Sequence, residues 1–196
     1  MVLLSPARSE TVMGNLGSDG SGSLTGITTD VSGTTWLAQG FNSGSSPFLV
    51  LNSITVGTRV NPATNVTLRL YSDSGGLPGT LLTSSSSAVT NITTKYSFDF
   101  GAYSLAPNTT YWAVLGGETG VVWAVATDGV PTEQNSSGYS YVDCAFTDNS
   151  GSSWVLDAFD REAAISVEAV PEPSTYAMLL AGLALFSLLR LRRSAR

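Results

Sequence analysis

From residue 10 to residue 169 apolar side chains tend to recur at alternate positions, and no stretch carries a convincing helical stripe. In Val66-Thr67-Leu68-Arg69-Leu70-Tyr71 one face is Val, Leu, Leu and the other Thr, Arg, Tyr. In Lys95-Tyr96-Ser97-Phe98-Asp99-Phe100 the aromatics alternate with Lys, Ser and Asp. Successive side chains of a strand point to opposite faces, so both segments are expected to be half-buried strands. Thr110 to Leu115 and Val121 to Ala126 are apolar on both parities, as in the middle of a packed sheet, and Gly116 to Gly120 between them is expected to be a hairpin. Further strands are expected at Thr11 to Leu16, Thr35 to Phe41, Phe48 to Gly57, Thr80 to Thr83, Tyr139 to Phe146, Trp154 to Phe159 and Ala164 to Ala169. Gly, Ser, Asn and Pro clusters separate them, with low-complexity loops at Gly14 to Gly33 and Ser84 to Ser87. The fold class is therefore all-β, a two-sheet antiparallel sandwich of jelly-roll type. No repeat at a fixed period points to a propeller or solenoid.

The residue inventory restricts the chemistry. Among 196 residues there is no His and one Cys, which removes Ser-His-Asp triads, Cys-His dyads, His-ligated metals, thiolate zinc sites and an intrachain disulfide. All fifteen acidic residues lie at or before Glu172, while Arg190, Arg192, Arg193 and Arg196 crowd the C-terminus. Residues 1–173 hold five basic groups against fifteen acidic ones, a formal charge of −10, and the remainder carries +4. An acidic body disfavours nucleic acid, whose binding rests on neutralising phosphates with Lys and Arg. A cationic or polysaccharide environment suits it better.

The segment that begins at Val170 has a different character. Pro171 and Pro173 bar regular structure and hold Glu172 in an extended, accessible linker that spans Ala169 to Pro173. Residues 176–189 carry no charge. As a helix they extend about 21 Å, short of the roughly 30 Å hydrocarbon core, with Ser174, Thr175 and snorkelling arginines to make up length. The run is apolar all round rather than striped, which favours a short C-terminal transmembrane helix over a buried amphipathic one. The positive-inside rule keeps the arginines cytoplasmic and puts residues 1–173 on the far side of that membrane.

Pro-Glu-Pro, a short apolar helix and a basic end, in that order over residues 170–196, resemble the PEP-CTERM sorting signal of Gram-negative bacteria. The resemblance implies a substrate of exosortase, a membrane-embedded enzyme that cleaves near the motif and releases or transfers the protein for surface display. It assigns Pro171, Glu172 and Pro173 as the recognition motif and Arg190, Arg192 and Arg193 as stop-transfer charges. Within the body, Asn15-Leu16-Gly17, Thr35-Trp36-Leu37-Ala38-Gln39-Gly40-Phe41, Leu70-Tyr71-Ser72-Asp73-Ser74-Gly75-Gly76-Leu77-Pro78-Gly79 and Asn108-Thr109-Thr110-Tyr111-Trp112 resemble the choice-of-anchor domains of bacterial surface proteins, the R type most nearly. That implies an anchored surface domain and no particular chemistry. Export needs a signal, and Val2-Leu3-Leu4 is too short an apolar core; residues 1–9 are expected to be the remnant of a signal peptide whose start lies upstream.

Three candidate sites remain in the body. Asp73 with Ser74, Gly75 and Gly76 can offer oxygens to calcium, although a tight turn that Asp73 caps is the preferred reading, and no other cofactor is indicated. Trp36, Trp112, Trp123, Trp154, Tyr103, Tyr139 and Tyr141 offer flat faces for sugar rings. Trp112 and Trp123 sit in apolar strands and are expected in the core, whereas Tyr139 and Trp154 adjoin loops and are the candidates for glycan stacking. Glu118, Glu133, Asp128 and Asp143 supply carboxylates in one region, yet any acidic surface contains such pairs. Cys144 is expected to be a buried small hydrophobe. The sequence thus describes a non-enzymatic, exported sandwich that is membrane-anchored before exosortase processing and then displayed at the surface or in the extracellular polysaccharide matrix. Its alternative is a carbohydrate-binding module for that exopolysaccharide; a secreted hydrolase ranks below both.

Overall fold

The computed structural model describes residues 9–16, 28–45, 48–126, 138–157, 162–171 and 182–183. The strands are β1 (Glu10–Gly14), β2 (Thr28–Asp30), β3 (Trp36–Asn42), β4 (Val50–Val60), β5 (Thr64–Asp73), β6 (Pro78–Val89), β7 (Thr94–Ser104), β8 (Thr110–Gly116), β9 (Val121–Ala126), β10 (Ser140–Thr147), β11 (Val155–Leu156), β12 (Glu162–Ala163) and β13 (Ile165–Val170). They form two antiparallel sheets, the sandwich that the alternation of side chains leads one to expect. The first runs β1-β13-β4-β9-β12, with β2 paired to β9 and β7 to β4. The second runs β11-β10-β3-β8-β5-β6. β13 and β7 pair with the same stretch of β4, so they flank it on opposite sides.

The alternation in β5 does what the sequence implies. Val66, Leu68 and Leu70 are fully buried between the sheets, and Thr67, Arg69 and Tyr71 lie on the outer face, partly exposed. Leu37, Phe41, Leu115, Ile54, Val56, Phe98, Ile165 and Val167 complete much of that core. Phe41 stacks with Tyr139 at a ring separation of 6.4 Å and meets Tyr111 at 5.9 Å.

Three local expectations are corrected. Gly116 to Gly120 is no hairpin: β8 pairs with β3 and β5 in the second sheet, β9 with β4, β2 and β12 in the first, so the segment crosses between layers. Apolar residues on both parities mark burial without saying which sheet a strand joins. Gly116, at φ 149°, has no room for a side chain, since a Cβ there would stand 2.5 Å from Trp36 Cδ1. Ser84 to Ser87 belong to β6 rather than to a loop. Ala169 and Val170 are paired with Leu51 and Val50, and Pro171 is buried, so the expected accessible linker does not begin before Glu172. Short strands β2 and β12 had no alternation to announce them.

One polar group lies at the centre. Gln39 on β3 is fully buried. Its Nε2 donates to Val142 O at 2.8 Å and to Gly40 O at 3.1 Å, and its Oε1 accepts from Ala163 N at 2.8 Å and from Cys144 Sγ at 3.0 Å. Val142 lies in the register shift between Tyr141 and Cys144, where β10 bulges away from β3 and its carbonyl loses a ladder partner. Ala163 belongs to the opposite sheet. One amide thus satisfies an irregularity in its own sheet and ties that sheet to the other. Gln39→Leu keeps the volume and removes the side-chain partner of three backbone groups, Val142 O, Gly40 O and Ala163 N, so chemical denaturation should show a loss of about 2–5 kcal/mol at unchanged m-value; a loss below about 1 kcal/mol would mean that the amide carries no such role.

Candidate functional site

The outer face of the second sheet carries a second apolar layer. β3 presents Trp36 and Ala38 there, β8 presents Trp112 and Val114, and β10 presents Val142 and Ala145; these pack with Tyr71, Leu77 and Trp154. Trp112 is fully buried although it faces away from the main core. Gly40 makes room for it, because a Cβ at that position would stand 3.1 Å from Trp112 Cζ3 and 2.9 Å from Val142 Cβ. Trp112 Nε1 donates to Asp73 Oδ1 at 2.9 Å, and Gly76 N donates to Asp73 Oδ2 at 3.1 Å. Both carboxylate oxygens of Asp73 therefore serve the turn and the indole, with Gly75 and Gly76 at positive φ. Asp73 thus caps its own turn; among the described residues no group of three or more His, Cys, Asp or Glu suited to a metal occurs.

The loop between β10 and β11 folds back over this face. Asn149 Oδ1 accepts from Thr147 Oγ1 at 2.7 Å and from Ser153 N at 2.9 Å, and Ser150 N donates to Thr34 O at 2.9 Å. The closed loop delivers Trp154 edge-on to Tyr71, at 6.4 Å between rings. Trp36, Tyr71 and Trp154 are each partly exposed, so the layer has an aromatic outer surface. Arg69 lies 4.7 Å above the Trp36 ring, donates through Nη1 to Gly116 O at 2.7 Å, and approaches Glu118 Oε1 at 4.0 Å. Glu118 Oε1 also accepts from Thr67 N at 3.0 Å. Tyr71 and Arg69 were not among the residues singled out from sequence, yet the signal was there: with Thr67 they form the polar face of the alternation in β5.

The other sequence candidates fall elsewhere. Tyr139 is corrected: it is fully buried and cannot stack a glycan, its ring packing on Phe41 and its hydroxyl donating to Phe48 O. Adjacency to a Gly and Ser loop misled, because the loop ends where the ring turns inward. Trp123 is fully buried and donates to Ala164 O at 3.1 Å, while Tyr103 and Tyr141 are partly buried against the main core. Cys144 is buried. Asp143 is exposed on β10, and Glu118 is committed to Arg69 and Thr67. Asp128, Glu133, Glu172, Pro173, Arg190, Arg192, Arg193, most of the tail helix and residues 1–8 lie outside the described residues. Gly182 and Leu183 are helical, and among the described residues no helix is long and apolar enough to cross a membrane.

Burial, and secondarily the neighbouring Tyr111, push the Tyr139 phenol above its ordinary range. A phenol that the fold keeps protonated contributes stability that is complete below its unfolded pKa, near 10, and is lost as pH rises beyond that value toward the folded one. Wild-type stability should therefore fall with pH above about 10. Tyr139→Phe should be less stable by about 1 kcal/mol at neutral pH, since Phe48 O loses its donor, and should show a flatter alkaline limb in urea titrations; parallel limbs for the two proteins would refute the assignment.

The last strand ends against the expected sorting segment. β13 is paired with β4 through Val170, and Pro171, which has no N–H, closes the ladder. A search of the curated proteins found no match to the chain. Residues 169–193 match the PEP-CTERM protein-sorting motif, which marks an exported protein that is addressed to an exosortase and held at the membrane before processing.

Proposed function

We propose that this chain is a non-enzymatic surface or matrix protein of a Gram-negative bacterium, whose β-sandwich is exported, held briefly by the C-terminal helix, processed by exosortase and then displayed or released. The observation that carries the reading is the sorting motif at residues 169–193, which overlaps the last two residues of β13, Ala169 and Val170, and continues beyond it. The body's likeness to choice-of-anchor domains, in which the same kind of domain is attached by different tails, agrees with this division of labour.

The test is the intact mass and C-terminal peptide of the native protein from separate membrane and extracellular fractions. A form that ends near Pro173, outside the cell or carrying added mass, is expected. Glu172→Ala should leave the full-length chain in the membrane. A full-length wild-type protein confined to the membrane would reduce the tail to a plain anchor.

A second reading, contact with exopolysaccharide, is favoured by one feature: the partly exposed aromatic surface of Trp36, Tyr71 and Trp154 on an otherwise completed sheet face. Of the three, Trp154 alone lies outside a strand, in the loop before β11, so its ring can be removed without changing a strand residue. Trp154→Ala should abolish retardation of the protein in gels cast with the producer's polysaccharide while far-ultraviolet circular dichroism is unchanged. Equal migration of wild type with and without polysaccharide would exclude this reading and leave the first untouched.

A further inference from the structure

The two long edge strands of the sandwich are treated differently. β7, at the edge of the first sheet, carries Lys95 and Asp99, and Gly101 and Ala102 at φ 62° and 64° kink it beyond Phe100. Charges and kinks of this kind keep an edge from pairing with another chain. β11, at one edge of the second sheet, is only 2 residues long. β6, at the other edge, runs for 12 residues without one charged side chain, and its only proline, Pro78, is at its start. Among the described residues no strand pairs with its outer side. Alternate residues of such a strand direct their N–H and C=O groups away from the sheet, ready to continue the ladder.

The sequence of β6 also indicates what continues it. Around Ser85 the strand reads the same by residue class in both directions: Leu81 and Leu82, then Thr83 to Ser87 bearing hydroxyls, then Ala88 and Val89. Antiparallel pairing of this strand with an identical one about a two-fold axis at Ser85 sets Ser84 opposite Ser86, Thr83 opposite Ser87, and apolar residues opposite apolar residues at both ends. The register shift around Leu82 confines the regular ladder of such a pair to the hydroxyl-bearing stretch, Thr83 to Ser87. Leu81, 49% exposed, would gain an apolar neighbour. A two-fold contact requires one surface to complement itself, and this strand does. It also brings no like charges together, although residues 1–173 are strongly acidic.

We propose that β6 pairs antiparallel with β6 of a second copy of this chain, centred on Ser85, to join two second sheets into one continuous sheet. The partner is the chain itself, held by backbone hydrogen bonds and cross-strand hydroxyl pairs. This pairing does not depend on the sorting or glycan readings.

Ser84 and Ser86 are exposed on the outer face, so charged side chains there leave the core unchanged. The experiment is sedimentation velocity on the full chain in mild detergent over a concentration series, with thermal unfolding as a check on folding. The wild type should show a concentration-dependent dimer. Ser84→Lys/Ser86→Lys opposes two pairs of like charges in the dimer and should weaken it roughly tenfold, with only a small drop in the melting temperature of the monomer, where Ser84 faces Arg69 on β5 and Ser86 Oγ meets Thr67 Oγ1 at 3.1 Å. Ser84→Lys/Ser86→Glu places each new ammonium opposite a new carboxylate of the second copy and should restore dimerisation. A wild type that stays monomeric throughout overturns the proposal. So does a double-lysine variant that dimerises as tightly as wild type, which would move the contact elsewhere, for example to the tail. Failure of the lysine–glutamate variant to recover overturns the Ser85-centred register.

Discussion

The sandwich depends on a polar group at its centre, the amide of Gln39. Two packed sheets are held mainly by apolar contact, which is strong but indifferent to register. The amide supplies register. Its carbonyl accepts from Ala163 N across the interlayer space, and its amino group accounts for the carbonyls of Val142 and Gly40. A buried backbone group without a partner costs about 1–3 kcal/mol, so any slip of β3 against β10 or β12 would expose that cost more than once. The bulge in β10 is affordable only because Gln39 stands opposite it. The same bulge turns Val142 to the outer face, where it meets Gly40 and Trp112.

The outer layer follows from that arrangement. A sheet face turned to solvent usually carries polar residues, yet here Trp112 is as buried as any core side chain. Its cover comes from Trp36 on β3, Tyr71 on β5, Leu77 in the turn before β6 and Trp154 in the loop before β11. Hydrogen bonds hold three of the covering parts in place. Trp36 Nε1 donates to Gly33 O at 3.1 Å, Trp154 is delivered by the Asn149 loop, and Asp73 anchors both the turn before Leu77 and the Trp112 indole. The layer is shallow and aromatic, rigidly placed but open along its outer edge.

Much of this was legible in the sequence, and what was not has identifiable causes. The alternation in residues 66–71 and 95–100 assigned faces correctly because one side of each strand is buried and the other is not. Residues 110–115 and 121–126 are apolar throughout, so the pattern announced two buried strands and was silent about the layer each joins. Ser84 to Ser87 looked like a loop because small hydroxyl residues dominate loops; on an edge strand the same residues need only a neighbour on one side, which β5 supplies. Tyr139 was misplaced because proximity to a loop in sequence does not fix which way a ring turns. Gln39 gave no signal at all, since a buried amide and a surface amide look identical until the second sheet is in place. The C-terminal motif was legible for the opposite reason: short order of Pro-Glu-Pro, apolar run and arginines has meaning without a fold.

The junction between the sandwich and that motif is set by β13. This strand lies inside the first sheet, between β1 and β4, and its pairs with β4 continue to Val170. An interior strand cannot be drawn out without breaking ladders on both sides, whereas Pro171 offers no N–H with which to extend them. The last two residues of β13 are thus also the first two of the sorting motif. A cut beyond Pro171 removes no backbone pair of β13, so the processed domain keeps every contact of its core. An enzyme that grips Glu172 must accordingly work within a residue or two of a rigid sheet, and whatever surface it presents there has to accommodate the end of β13 with its neighbour β4.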